Sequence, residues 1–493
     1  MAIKILNVSW RSPAVAAAAF LLVLLPPLRG QTLTLEKALE IAFRNSPSVQ
    51  EARYSLATSE ENLKAQQAGL KSQFLLTLSP LTVSQTRTFS DLTSRYNTQD
   101  LTKSALRFSI TQPIKWTDGT LTVSDSFNWQ KAASSYTGGI AESTFNNSLT
   151  IQLSQPLFTY NRTQMTIRQL ELALENSQIN YALRKLSIEQ QVTQQFLNLY
   201  ASRESLKIAE ESLKNATESF QIIESKVKAG ISAPEELYQA DLTRLNSVAS
   251  LENQQMSYAN SLDGFKILVG LPLTEEIEAV ADIRKKLVEV DLDKAVAHAQ
   301  ENRMELRQRD ISIQNALDSL IRAAAENEFK GSIALSVGLT GVNTQLQNVY
   351  DSSNTDKQIA LSFNIPVFDW GEKRHRLAAT QATVDTARLS ASELRKDITA
   401  SIRQAYRSLQ NQKRQIEIAE VNIMNAERTY EINLERYKNG DLSSKDMQFY
   451  QLQLSQQRLS ELQALISYKL ALLDIKVLSL FDFETNRSIV DLL

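Results

Sequence analysis

The chain has 493 residues but only 13 glycines and 10 prolines, well under half the average usage of about 12 % for the pair, so long uninterrupted elements are expected. It contains no cysteine, which excludes a disulfide framework, a thiolate nucleophile, a zinc finger and a cysteine-linked lipid anchor. The formal net charge is −2, and no segment carries the basic stripe with interleaved aromatics that nucleic acid requires.

Lys4 and Arg11 precede an apolar run over 14–25 that ends at Pro26 and Pro27. A basic start followed by about a dozen apolar residues predicts a signal peptide over residues 1–30, too short to span a membrane. The rest divides into two repeats, 31–285 and 286–493. Leu35, Ala38, Ala42 and Asn45 open the first, and Leu292, Ala295, Ala299 and Asn302 open the second at an offset of 257; each set predicts a short helix.

Alternating segments follow. In the first repeat they cover 74–84, 105–114, 119–129 and 148–157, and in the second Ile333 to Leu339 and Ile359 to Val367. About ten residues with one apolar side suit a tilted membrane-spanning strand. A soluble one-sided sheet has the same pattern; the leader, with no long apolar helix after it, favours a barrel. Phe158 with Tyr160, and Phe368 with Trp370, stand where an aromatic girdle is expected. Gln155-Pro156-Leu157-Phe158 recurs as Ile365-Pro366-Val367-Phe368 at an offset of 210, so the first repeat holds 47 extra residues. These are read as an inserted hairpin at about 85–131, outside the wall. Each chain then supplies four spanning strands, too few to close alone, and three copies supply twelve.

Between Pro156 and Gly230 lie 73 residues without glycine or proline, and between Gly371 and Gly440 there are 68; each stretch predicts a helix on the order of 100 Å long. Leu206, Ala209, Leu213, Ala216, Phe220, Ile223 and Val227 form a seam of alternating threes and fours, the spacing of helices packing knobs into holes. The seam recurs at offset 210 as Ile416, Ala419, Ile423, Ala426, Tyr430, Asn433 and Tyr437, with Asn433 as the exception. Gly230 and Gly440 then predict tight turns at positive φ. Ser232 with Glu235, and Ser443 with Asp446, have the spacing of capping boxes that start returning helices.

Enzyme signatures are missing: no phosphate-binding glycine loop, nucleophile elbow or zinc-protease helix motif. Ser225 and Lys228 have a Ser-x-x-Lys spacing that arises by chance on a long helix. His298 falls on a helix as a packing residue, and His375 sits in the basic cluster Lys373–Arg376, read as a solvated collar. No catalytic, cofactor or metal site is expected.

The ordered set of Leu35, Ala38, Leu39, Ala42 and Asn45, then Gln155 to Phe158, then Ile365 to Gly371, then the two glycine turns resembles the TolC-type outer-membrane efflux proteins over essentially the whole mature chain. The resemblance implies a mainly α fold with a transmembrane β-barrel portion: a homotrimer whose 12-stranded barrel in the outer-membrane lipid continues into a long periplasmic α-helical barrel. It further implies a periplasmic adaptor protein and an inner-membrane transporter as partners, efflux or type I secretion as the activity, and a gate at the helical tip. Tyr437 and Asp446 match the family's gate pattern, whereas Leu442 and Phe449 stand where that pattern has an arginine and a second acid, implying one acidic ring and an apolar constriction. Gly230, Ser232, Gly440 and Ser443 are the expected adaptor-contacting turns. Pro156, Pro366 and Gly371 are the expected strand–helix joints. An elongated coiled-coil protein of the cell envelope without a pore is the alternative.

Overall fold

The computed structural model describes residues 31–91, 94–134, 140–279, 286–351 and 353–490; the expected signal peptide, like Gly138 and Gly139, lies outside the described residues. In chain order the elements are β1 (Gln31–Leu33), α1 (Leu35–Asn45), α2 (Pro47–Gly69), β2 (Gln73–Ser90), β3 (Arg95–Ile114), β4 (Gly119–Ser134), β5 (Ala141–Leu157), α3 (Arg162–Lys228) and α4 (Pro234–Val269). The second half follows with β6 (Ile277–Ala279), α5 (Leu292–Asn302), α6 (Met304–Ala324), β7 (Lys330–Asn343), β8 (Asn354–Asn364), α7 (Glu372–Asn439), α8 (Ser444–Ser479), β9 (Phe481–Asp482) and β10 (Arg487–Ser488).

The internal repeat is visible in these bounds. Adding 257 carries α1 onto α5, and adding 210 carries α4 onto α8 residue for residue. The opening helices pack through their small residues: Ala38 and Ala42 are fully buried against Val192, Phe196 and Phe265, and Ala295 and Ala299 against Ile398 and Ile402. Alanines one turn apart let a short helix lie close to a long one, and any larger side chain there would push the two apart. The short strand β1 pairs in parallel with β6, so the start of the first repeat is tied to the segment that follows its last helix.

The helices α3 and α7, of 67 and 68 residues, extend about 100 Å each. Their seams are buried at Ala209, Ala216 and Ile223 on α3, and at Ile416, Ala419, Ile423, Ala426, Asn433 and Tyr437 on α7. The polar exception, Asn433, donates its amide to the Thr429 carbonyl at 2.8 Å and accepts from Arg436 at 3.3 Å, so its polar atoms are partnered. Among the described residues no helix is long and apolar enough to cross a membrane.

One six-stranded antiparallel sheet, in the order β2-β3-β4-β5-β7-β8, occupies the end of the molecule opposite the two glycine turns. This corrects the strand count expected from the sequence. The hairpin β3–β4, which covers the expected insert, does not stand outside the sheet: β3 pairs with β2 from Thr111↔Gln73 to Arg95↔Ser90, and β4 pairs with β5 from Thr120↔Ser154 to Ala133↔Ala141. Its main-chain groups are taken up on both sides by neighbouring strands, and that cooperative pairing holds it in line. Each chain therefore contributes six strands to the sheet.

Candidate functional site

The sheet has two chemically distinct faces, because neighbouring strands keep their alternation in register. One face carries Phe74, Leu76 and Leu78 on β2, Leu106, Phe108 and Ile110 on β3, Leu121, Val123, Phe127 and Trp129 on β4, Leu149, Ile151 and Leu153 on β5, Leu335, Val337 and Leu339 on β7, and Ile359, Leu361 and Phe363 on β8. The other carries hydroxyls, amides and small residues, for example Thr122, Ser124 and Ser126 on β4, paired with Gln152, Thr150 and Ser148 on β5. The apolar face is left open by the chain's own helices: Phe74, Leu78 and Ile359 are 67 %, 65 % and 79 % exposed. A contiguous apolar surface of this extent on a folded chain requires a non-aqueous neighbour.

Where sheet meets helix, aromatic residues gather. Phe158, Phe329 and Phe363 stack in sequence with centroid separations of 5.3 and 5.4 Å, and Trp370 stands edge-on to Phe368 at 4.7 Å. Pro156 is the penultimate residue of β5, opposite Ser332; Pro366 lies in the link between β8 and α7. Gly371 adopts φ +82°, a conformation that a side chain would strain. Asp369 accepts hydrogen bonds from the N–H groups of Lys373 at 3.1 Å and Gly371 at 2.9 Å, and these bonds hold its carboxyl below the usual aspartate range. The basic cluster is ion-paired: Lys373 meets Glu328 at 2.9 Å, and Arg376 meets Glu372 at 2.7 Å and Glu326. The pairs with Glu328 and Glu326 tie α7 to the segment just after α6, and these side chains stay partly exposed to solvent.

At the far end the two hairpin turns lie side by side. Gly230 and Gly440 have φ of +74° and +93°. Tyr437 is fully buried in a cluster with Ile223, Ala240 and Met447, on which Phe220, Leu237, Leu434 and Leu442 also pack. Its hydroxyl donates to the Ser219 carbonyl at 3.3 Å and lies 3.4 Å from the Ser444 hydroxyl, which in turn donates to Glu236 at 3.3 Å. Lys226 donates to the Tyr437 carbonyl at 2.6 Å and holds its ammonium 5.2 Å from the centre of the Tyr437 ring. Burial pushes the Tyr437 phenol above the usual tyrosine range, with the Ser444 hydrogen bond acting in the opposite sense. Gln451 donates to the Ser219 hydroxyl at 2.9 Å. Hence α3 and α4 are latched to α7 and α8 at the tip.

The structure brings only some of the sequence-selected tip residues into this latch. Tyr437 is its centre. Leu442 packs into the apolar cluster beneath it. Asp446 is engaged in the cap: its N–H donates to Ser443 Oγ at 3.2 Å, and the Ser443 hydroxyl donates to its carboxylate at 2.7 Å. The matching expectation for Ser232 fails. The N-cap of α4 is Ala233 with no side-chain bond, followed by Pro234 at the first helical position, so Ser232 lies one residue too early. Lys226, Ser219, Ser444 and Glu236 were not singled out in the sequence, because their partners lie more than 200 residues away or on another helix. The Ser-x-x-Lys spacing is spent within the helix, Ser225 donating to the Gln221 carbonyl and Lys228 pairing with Glu224. His298 packs edge-on against Phe481 and meets the Ser479 carbonyl at 2.8 Å.

Two helical faces are apolar and unpaired within the chain. On α4, Tyr238, Leu242, Leu245 and Met256 form one narrow stripe, and on α7, Ile418, Val421, Met424 and Ile432 form another, opposite the buried seam.

A family model described as outer membrane efflux protein matches residues 120–270 and 290–479. The protein CyaE of Bordetella pertussis is 22 % identical over 270 residues, which is 54 % of this chain and 56 % of that protein, so the chain spans about half the length of that relative. The CmeC outer membrane channel of Campylobacter jejuni superposes with a TM-score of 0.68 at 16 % identity, covering 90 % of this chain and 85 % of CmeC. The outer membrane protein VceC of Vibrio cholerae gives 0.67 at 15 % identity, covering 90 % and 96 %. At these identities the likeness establishes the fold: long paired helices joined to an antiparallel sheet.

Proposed function

The chain belongs to the outer membrane efflux protein family, and from that premise we propose that three copies form a passive duct from the periplasm through the outer membrane. The observation that carries this reading is the six-stranded sheet, with one face predominantly apolar and open and the other hydroxylated. Lipid outside and water inside is the environment that satisfies both faces. Helices of about 100 Å continue the duct into the periplasm, and the unpaired stripes on α4 and α7 supply the seams between copies. The duct performs no chemistry. Its substrates are delivered by an inner-membrane transporter through a periplasmic adaptor that meets the turns at Gly230 and Gly440.

Opening at the tip requires α7 and α8 to part from α3 and α4. The bonds that resist this are those of Tyr437 with Ser219 and Ser444, and of Lys226 with the Tyr437 carbonyl. Tyr437 is therefore assigned as the gate residue. Asp446 and Leu442 act indirectly, one starting α8 and the other filling the space under the phenol. Purified protein in planar bilayers is expected to conduct weakly, and Tyr437→Phe combined with Lys226→Met to increase the conductance or its open fraction. A protein that fractionates away from the outer membrane, migrates identically with and without heating, and never conducts would defeat the reading.

A further inference from the structure

Four of the six strands have counterparts across the internal repeat: β4 and β5 correspond to β7 and β8 at offset 210. The remaining pair, β2 and β3, ends on the same device as β4 and β5. At the end of β3, Gln112 donates its amide to the Leu70 carbonyl and to the carbonyl of its own neighbour Pro113, both at 2.8 Å. At the end of β5, Gln155 donates to the Thr117 carbonyl at 2.7 Å and to the carbonyl of its own neighbour Pro156 at 2.9 Å. In each case the glutamine bonds a carbonyl just ahead of the preceding strand, and the proline follows it at the last turn of the wall. The hairpin β2–β3 is thus a third copy of the hairpin unit, with the same apolar face and the same hydroxylated face.

The apolar band crosses all six strands and moves along them, centred on Leu361 in β8, Ile151 in β5 and Phe108 in β3. Such a drift is what strands tilted in a closed wall require, because the hydrogen-bonded rows then climb relative to the membrane plane. Charged side chains also stand on this face, among them Asp125 between Phe108 and Leu149 and Lys357 opposite Val337. The sheet is open at β2 and β8. Both edge strands are long and apolar on one side, β2 rising from α2 and β8 descending into α7, so the β8 edge of one copy meets the β2 edge of the next antiparallel. Six strands do not close alone, the smallest single-chain membrane barrels having about eight.

Resting on the duct reading for the number of copies, we infer that the wall contains eighteen strands, three hairpins from each of three chains. At a strand separation of about 4.8 Å and a tilt of about 40°, eighteen strands enclose a backbone diameter of about 36 Å, against about 24 Å for twelve. The join to the helices favours the wider ring. Each chain sends four helices, α2, α3, α6 and α7, to the sheet; at about 8–10 Å between axes they cover an arc of about 32–40 Å. Six tilted strands cover about 38 Å and four only about 25 Å, so six continue the tunnel without a taper. The outer-membrane exit is then a wide passage lined by neutral hydroxyls and amides, and selection by size falls to the helical tip.

Electron cryomicroscopy of the full detergent-extracted protein tests this directly. The expected cross-section has eighteen strands and a backbone diameter of about 36 Å; a trimer with twelve strands overturns the inference and leaves the duct intact, whereas a protein that is not an outer-membrane trimer overturns both. Since the chain has no cysteine, a second measurement in intact membranes is unambiguous. Ser109→Cys with Ser124→Cys, opposite each other on β3 and β4, is expected to form an intrachain disulfide in most molecules on mild oxidation. Persistent free thiols in a folded trimer would mean that the hairpin β2–β3 leaves the wall, and would overturn the inference.

Discussion

The two helical hairpins share one plan and end differently. Their helices measure 67 and 36 residues in the first and 68 and 36 in the second, and both turn at a glycine with positive φ. Yet the first returns from an uncapped Ala233 followed by Pro234, whereas the second returns from Ser443 with a reciprocal Asp446 bond. The first has Val227 where the second has the buried Tyr437. The two hairpins share their length and differ in the side chains at the tip. The second hairpin became the part that is held and the first the part that holds it, through Lys226 and Ser219.

The largest contrast is expected at the paired seam positions. Tyr437→Ala removes a fully buried aromatic and is expected to lower stability by about 3–5 kcal/mol, read by thermal unfolding of the purified protein, whereas Val227→Ala costs about 1 kcal/mol. Equal losses would break the asymmetry. Next comes Lys226→Met, which keeps the apolar stem and removes the ammonium bond to the Tyr437 carbonyl. It is expected to cost about 1.5–3 kcal/mol and to quicken amide exchange in α7 near Tyr437. The repeat counterpart Arg436, which donates to Asn433 on its own helix at 3.3 Å, is expected to tolerate the same change with little effect on exchange.

Smaller again is the difference between the caps. Ser443→Ala is expected to cost about 1 kcal/mol, seen as fraying at the start of α8 in hydrogen exchange, whereas Ser232→Ala, with no cap bond to lose, leaves the start of α4 unchanged. The last comparison is alkaline. Burial raises the Tyr437 phenol, so its contribution is complete below the unfolded value of about 10 and is lost as pH rises through the folded value. Tyr437→Phe is expected to remove that alkaline loss from a stability profile. A profile unchanged by the substitution would show that the phenol is not held as described.

Much of the architecture is legible in the residues themselves. Local breakers and periodicity are short-range properties, so the absence of glycine and proline over 157–229 and 372–439 already implied the long helices, and the three-four spacing of Ala209, Ala216 and Ile223 their buried side. The two-faced chemistry of the strands is likewise carried by alternation alone. The position of the extra hairpin was not legible: its residues read as strands, but whether they pair in line or stand aside depends on hydrogen bonds between segments distant in the chain. Nor was the latch. Tyr437 was visible as the end of a seam, while Lys226 and Ser219, more than 200 residues earlier, gain their roles only when the two hairpins pack.

What the sequence alone determined, then, is the inventory of helix, strand and turn and its duplication, because these follow from each residue's conformational preferences and from spacing along one element. What the tertiary structure decided is which strands share a wall, which carboxylates are spent on caps and ion pairs, and which hairpin holds the other. Those outcomes depend on distances between side chains that no local pattern encodes.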